Sequence, residues 1–265
     1  IIGRYKVNYH NNFATHEHKM GIVEGGNCAI MAGVGPMGLG AIDYALHGPK
    51  KPGLLVVADI NAARLARAER IFSPEYAAKE GVRLVYLDTS AGDTVQRMMD
   101  ISGGKGYDDV YVYAPVSALI EQADAVLAKD GCLNFFAGPT DNKLSARFNF
   151  YDVHYKYTHV AGNTGGNAED MEDCIALMNA GKLHPEVMIT HVGGLDSAAE
   201  TTINLPNIPG GKKLVYTHIN MPMTAIDDFA KLGESDARFA CLAKICQKNN
   251  GLWCAEAEKY LLENF

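Results

Sequence analysis

"MAGVGPMGLG", Met31 to Gly40, places Gly33, Gly35, Gly38 and Gly40 within ten residues. Glycine weakens both strands and helices, so this density needs a reason. Just upstream, "CAIMA" (Cys28–Ala32) reads as a buried strand. Just downstream, Pro36 suits the first turn of a helix, where its missing N–H costs nothing. Gly48 followed by Pro49 supplies the stop. The stretch is therefore strand, G-x-G-x-x-G, helix. Gly33 permits a tight turn, Gly35 lets a pyrophosphate approach the backbone, and Gly38 lets the helix pack closely. The helix start, with Pro36, Met37 and Gly38, offers unpaired N–H groups and a partial positive charge to phosphates. Asp59 ends the next strand, 21 residues after Gly38, where its carboxylate can accept from both ribose hydroxyls of an adenosine.

Other readings of the glycines are a turn that serves packing alone and an S-adenosylmethionine methyltransferase. The latter also places glycines after its first strand and an acid after its second, but rarely opens its helix with Pro-Met-Gly. "GGKG" (Gly103–Gly106) and "GGKK" (Gly210–Lys213) lack the Ser or Thr that a P-loop needs after Lys. None of the 13 tyrosines has Lys four residues on, so the Tyr-x-x-x-Lys pair of short-chain dehydrogenases is absent.

Outward from the glycines, apolar runs alternate with helical patterns. Strands are expected at "LLVVADI" (54–60), "VRLVYLD" (82–88), "DDVYVYA" (108–114), "CLNFFAG" (132–138) and "THVAG" (158–162). Asn61 can cap a helix whose Leu65, Ala68 and Phe72 share a face. A further helix is expected from Ser117 to about Gly131, and another opens at Asn167 and stops at Gly181. Strict alternation implies right-handed crossovers and a parallel sheet covered on both faces. Residues 27–184 thus read as a doubly wound α/β domain of Rossmann type, after a junction over 1–26. Past Pro185 the pattern changes to strand-like "EVMITHV" and "KKLVYTHI", then to helices, an α+β segment over 185–265. In "ARFACLAKICQKNNG", Phe239, Leu242, Ile245 and Cys246 fall on one face.

The 265 residues carry a formal net charge of -7 and 48% apolar residues. A mildly acidic chain is a poor partner for nucleic acid. Six cysteines without a Cys-x-x-Cys pair read as reduced thiols. With no long apolar run and no signal-like start, a cytoplasmic protein without membrane contact is expected. The first residue is Ile, so the chain is expected to begin inside a longer gene product.

"GGNCAIMAGVGPMGLGAIDYALHG" and "LLVVADINAARLARA" resemble the medium-chain, zinc-type alcohol and polyol dehydrogenases. "HKMGIVEGGN", "FNFYDVHYKYTHVAGNTGGNAEDM" and "GGKKLVYTHINMPMTAIDDFAKLG" extend the resemblance, in its L-sorbose-1-phosphate reductase-like branch, along essentially the whole chain. The resemblance implies hydride transfer between NAD(P) and a polyol, secondary alcohol or sugar phosphate, with zinc polarising the carbonyl oxygen. Family members begin with a GroES-like catalytic domain carrying the zinc ligands, among them a Gly-His-Glu stretch that this sequence lacks. Residues from about 185 would be the return segment of that split domain. The given chain would then be inactive alone, or serve as a dinucleotide-binding module. No catalytic or metal-binding residue is assigned in it. Family members also dimerise by continuing the sheet from the sixth strand, so a homodimer or homotetramer is expected.

By position, the resemblance puts Ala114, Pro115 and Val116 over the adenine. Ala137 and Gly138 would border the nicotinamide ribose, with Asn163 and Thr164 near the nicotinamide. Asp59 implies NAD(H) over NADP(H), because a 2′-phosphate would meet a like charge, although Arg64 lies five residues on. His16 and His18 could share a metal if they lie on a strand, but two ligands without a third read better as a surface linker. His154 and His159 read as packing or hydrogen-bonded residues. Cys241, Cys246 and Cys254 read as small buried hydrophobes.

Overall fold

A computed structural model of the chain describes residues 9–10, 17–18, 21–162 and 164–265. His16, the side chain of His18, Asn163 and most of the expected junction lie outside the described residues. The chain divides into two compact units, Ile1–Leu183 and His184–Phe265. Among the described residues, no helix is long and apolar enough to cross a membrane.

The first unit opens with two short antiparallel strands, β1 (Tyr9–His10) and β2 (Glu17–His18). Six parallel strands then form its sheet: β3 (Asn27–Met31), β4 (Leu54–Asp59), β5 (Arg83–Asp88), β6 (Tyr107–Val112), β7 (Leu127–Phe135) and β8 (His159–Ala161). Their order is β5-β4-β3-β6-β7-β8. That is the doubly wound arrangement, in which the direction of strand addition reverses between β3 and β6. β4 is buried along its whole length, as expected of a parallel strand covered on both faces. Leu54 to Ala58 therefore belong to the core, and Asp59 closes the strand as a buried carboxylate.

Helix α1 (Pro36–His47) is buried from Gly38 to His47, consistent with its almost unbroken apolar sequence. In α2 (Ala62–Ile71), Asn61 caps the helix by accepting from the Arg64 amide, and Leu65 and Ala68 face inward. Phe72, just past its end, is buried too. Two shorter helices, α3 (Pro74–Lys79) and α4 (Thr94–Ile101), start at Ser73 and Asp93, whose side chains accept from Tyr76 and Gln96 amides.

The helix expected from Ser117 to Gly131 is shorter. Helix α5 (Ser117–Ala125) stops at Ala125, and Leu127–Gly131 belongs to β7. Helical periodicity in "VLAKDG" loses to tertiary contacts. The Val126 carbonyl accepts from the Tyr107 amide at 2.9 Å, and the Asp130 amide donates to Lys156 O at 2.6 Å. Val126 and Leu127 are buried, and Asp130 turns left-handed at φ 62°. The register of β6 on β7 shifts between Tyr107 and Asp109 to absorb the extra residues.

After β7, residues 136–149 lead into α6 (Phe150–Tyr155) and then β8. Asn167 opens α7 (Ala168–Asn179) through a capping box with Asp170, and Gly181 ends it at φ 65°.

In the second unit, β9 (Ile189–Gly194) is flanked by parallel β10 (Lys212–Tyr216) and antiparallel β11 (Thr224–Ala225). Helix α8 (Ala198–Asn204) lies in the β9–β10 connection, and α9 (Phe229–Leu232) follows β11. Helices α10 (Ala237–Lys248) and α11 (Ala255–Asn264) complete a core around Phe229, Leu242, Trp253 and Leu261. The expected face of α10 is found: Leu242, Ile245 and Cys246 are buried and Phe239 packs against them. Cys241 and Cys254 are half-buried against the same core.

Candidate functional site

The loop from β3 to α1 carries the densest set of steric constraints in the first unit. A Cβ on Gly33 would strike the Ile30 side chain. A Cβ on Gly38 would strike the backbone of Gly33, so α1 starts in direct contact with the turn. The left-handed residue is Ala32, at φ 55°. The tight turn expected of Gly33 thus rests on a strained alanine before it, and Gly33 is required for want of space. Gly35 differs from both. A Cβ there would meet no atom within 4 Å.

Gly35 is also the residue before α1, and no side chain caps that helix start. Most helices satisfy their first amides with a Ser, Thr, Asp or Asn side chain. Here glycine supplies none, and Pro36 removes one N–H outright. The remaining amides and the helix dipole face a surface on which Gly35 leaves the backbone accessible. That combination suits a phosphate.

Asp59 ends β4 beside this loop. It is 9% exposed. Its Oδ2 accepts from the Val34 amide at 3.4 Å and its Oδ1 from the Asn61 amide at 2.9 Å. One carboxylate therefore ties the glycine loop to the start of α2, which fixes its own orientation. Arg64, in the first turn of α2, is exposed.

Across the switch point, Ala114 is half-buried, and Pro115 and Val116 are exposed at the start of α5. Ala137 is buried, Gly138 exposed, and nothing lies within 4 Å of where a Gly138 Cβ would be. Thr164 is exposed. The structure thus brings Gly33, Gly35, Pro36, Met37, Gly38 and Asp59 together at one turn. Ala114–Val116 and Ala137–Gly138 follow the adjacent strands β6 and β7.

Of the other histidines singled out, His159 Nε2 lies 2.8 Å from Asp130 Oδ1, and His154 packs edge-on against Tyr155. A buried pair escaped the sequence reading. His47 Nδ1 is 2.9 Å from Asp43 Oδ1, and its Nε2 is 2.8 Å from the Tyr76 hydroxyl. The i,i+4 spacing of Asp43 and His47 at the end of α1 was the available signal. Also missed was a stacked pair, Tyr113 and Phe136, with ring centroids 4.5 Å apart.

The fold and the glycine turn define a dinucleotide-type α/β domain, and comparison with known proteins agrees. Residues 36–180 match the zinc-binding dehydrogenase family, and the chain belongs to that family. It is 50% identical over 264 residues to the mannitol-1-phosphate 5-dehydrogenase of Aliivibrio fischeri, covering 99% of this chain and 62% of that protein. It is 46% identical over 264 residues to the L-sorbose 1-phosphate reductase of Klebsiella pneumoniae, covering 99% of this chain and 61% of that protein. The chain therefore spans a little over three-fifths of the length of these relatives. In fold it is similar to 2R,3R-butanediol dehydrogenase from Bacillus subtilis, with a TM-score of 0.59 at 19% identity, over 74% of this chain and 52% of that one.

Proposed function

We propose that the chain is the nucleotide-binding part of an oxidoreductase that moves a hydride between NAD(P) and a secondary alcohol on a polyol or sugar phosphate. The observation that carries this reading is the β3–α1 turn. Gly33 and Gly38 close it sterically, Gly35 leaves it open, and Asp59 is fixed beside it. In this reading the amides at the start of α1 hold the pyrophosphate, and Asp59 accepts from the adenosine ribose. Ala114–Val116 cover the adenine, and Ala137, Gly138, Asn163 and Thr164 lie toward the nicotinamide. The bound dinucleotide supplies the hydride chemistry, while these residues bind and orient it. NAD(H) is preferred over NADP(H). The two named relatives act on hexitol or ketose phosphates by their names, which supports that substrate class.

Residues 27–184 are read as the nucleotide domain, 1–26 as the junction and 185–265 as the return segment of a catalytic domain. Zinc is part of the family's chemistry. In a second reading, the 265-residue chain alone binds the dinucleotide without turning over a polyol, because its sequence holds no Gly-His-Glu stretch. A homodimer or larger assembly is also part of the proposal. Val160 on the edge strand β8, Phe150 and Tyr151 on the helix before it, and Met171 and Ile175 on the helix after it are all exposed, which supports it.

The test is a titration of intrinsic Tyr and Trp emission with NADH, with S-adenosylmethionine as the control ligand. Saturable quenching by NADH alone is expected. A response to S-adenosylmethionine and none to NADH would sink the reading. Mannitol 1-phosphate-dependent NADH formation by the pure chain would remove the second reading and leave the first. Sedimentation at micromolar concentration should give at least twice the chain mass, and a monomer would end the assembly proposal.

A further inference from the structure

The turn that leaves β5 is also tied to Asp59. Asp59 and Asp88 are partners across the β4–β5 ladder, so the two strands end side by side on a pair of acids. The Thr89 amide donates to Asp59 O at 2.9 Å, which joins the first residue past β5 to the residue read as the ribose acceptor. Arg97, on α4, reaches back over this turn. Its Nη1 donates to Asp88 O at 2.7 Å and to Ala91 O at 2.9 Å. The Ser90 amide donates to Asp88 Oδ1 at 2.8 Å. Bonds from the Ser90 hydroxyl and amide hold the Asp88 carboxyl below the usual carboxylate range; burial opposes them, and the charge of Arg97 adds to the fall. Asp88 is half-buried and Ser90 exposed. An ionised acceptor is thus fixed at the rim of the sheet beside Asp59, and its two oxygens offer more lone pairs than Ser90 fills.

A ribose on Asp59 leaves its base over the ends of β4 and β3. In the strand order β5-β4-β3-β6, the turn at Ala114–Val116 borders that space from the β6 side and the turn at Asp88–Ser90 borders it from the β5 side. The exocyclic amine is the donor on the edge of adenine, and its ring nitrogens are acceptors. A carboxylate, which only accepts, can therefore pair with the base at the amine. We propose that Asp88 recognises the adenine of the cofactor by accepting from its exocyclic amine, while Arg97 and the Thr89 amide hold the turn in place. The base then has an apolar cover on one flank and a directional contact on the other. The inference rests on the dinucleotide reading above and adds to it the selection of the base.

The readout is a ratio of affinities. Calorimetry compares NAD with its analogue carrying unsubstituted purine, in which hydrogen replaces the amine. Both ligands share the pyrophosphate, the two riboses and the nicotinamide. The 265-residue chain should favour NAD by about tenfold, because the bond is charge-assisted. Asp88→Ala removes the acceptor and should bring the ratio within about twofold. Asp88→Asn keeps an acceptor for the Ser90 amide, so the turn is preserved, but its neutral oxygen should lower the ratio to about threefold. The asparagine variant decides alone if the alanine one does not fold. A turn that has merely loosened would weaken both ligands alike and leave the ratio at the parent value. An unchanged ratio in the folded variants, or a parent ratio below about twofold, would overturn the inference while leaving the dinucleotide reading intact. Failure of the unsubstituted chain to bind either ligand would instead overturn the reading and the inference with it.

Discussion

The C-terminal rim of the six-stranded sheet is made of two different materials. On the β3–β4 side it is a turn of glycine, alanine and valine, with one carboxylate at the end. On the β6–β7 side it is two stacked, half-buried aromatic rings next in sequence to exposed turns at Pro115, Val116 and Gly138. The first side is shaped by exclusion. Ile30 and the Gly33 backbone forbid side chains at Gly33 and Gly38, and only Gly35 faces open space. The second side is shaped by attachment, through Met31, Val112 and a ring stack. Exclusion is local and unforgiving, so single substitutions should act sharply there. Attachment is distributed, so substitutions on the far side should act by degrees.

The largest expected effect comes from setting two glycines of the first side against each other. Gly38→Val should cost at least about 3 kcal/mol, because the methyl groups meet backbone that cannot move without shifting α1. Gly35→Val should leave stability within about 1 kcal/mol and abolish NADH binding, since its side chain fills the phosphate's approach. Urea unfolding and NADH titration of both variants check the pair. Equal stability for the two would mean that the turn is not sterically closed.

A second contrast lies at the opposite end of the sheet. Asp109, on β6, is 3% exposed, and its Oδ2 accepts from the Val23 amide at 2.8 Å. Burial pushes its carboxyl up to about 7, with Asp108 adding to the rise and the Val23 amide and Lys50 opposing it. The folded chain then holds this proton more tightly than the unfolded chain does. Its contribution to stability is therefore full below about pH 4 and is lost as pH rises through about 7. Between those limits the chain should lose about 1.4 kcal/mol per pH unit relative to Asp109→Asn, which does not titrate. Unfolding free energies of both at pH 5, 6 and 7 measure the slope. Parallel curves would show that Asp109 keeps its ordinary carboxyl behaviour in the fold.

These cases also show what the sequence could reveal. The β3–α1–β4 region was legible because its determinants lie within thirty residues of one another and act through spacing. The G-x-G-x-x-G pattern, the Pro36 helix start and Asp59 each state a constraint that survives without knowledge of the rest of the chain. The end of α5 was not legible. "VLAKDG" suits a helix, and only the pairing of Val126 with Tyr107 and of Asp130 with Lys156 draws it into β7. Tyr113 and Phe136 were invisible for the same reason. Nothing in either neighbourhood says that the two rings meet. The tight turn is expected at Gly33 from its lack of a side chain, whereas the left-handed residue in the structure is Ala32.

A smaller effect is expected from Asp59→Ala. The carboxylate is buried and fixed by two amides, so its bonds to a ribose would be charge-assisted and well oriented. Such a bond contributes roughly 1.5–3 kcal/mol, or about 10- to 150-fold in affinity. Asp59→Ala should weaken NAD binding within that range and narrow the preference over NADP. Part of any loss in stability would come from freeing the Val34 and Asn61 amides, so affinity is compared at matched folded fraction. Equal or tighter binding of NADP by the parent chain would show that exposed Arg64, rather than Asp59, sets the choice.

The smallest effect sharpens the comparison most, because it acts on the one residue of the glycine loop that is strained. Ala32 is half-buried at φ 55°, where its Cβ crowds the following carbonyl. An L-residue other than glycine loses about 1–2 kcal/mol in that conformation. Glycine would relieve this, but it also loosens the unfolded chain, at a cost of about 0.4–1 kcal/mol. The balance favours Ala32→Gly by roughly 0.5–1 kcal/mol. Because Ala32 comes before the turn and faces no proposed contact, NADH affinity should stay within about twofold. A variant that is more stable but binds NADH less well would carry a different message. It would mean that the alanine holds the loop in its binding shape at the expense of stability, as strained residues at ligand sites do. Urea unfolding and NADH titration on the one variant separate the two outcomes, and a loss of stability would show that Ala32 is not strained in solution.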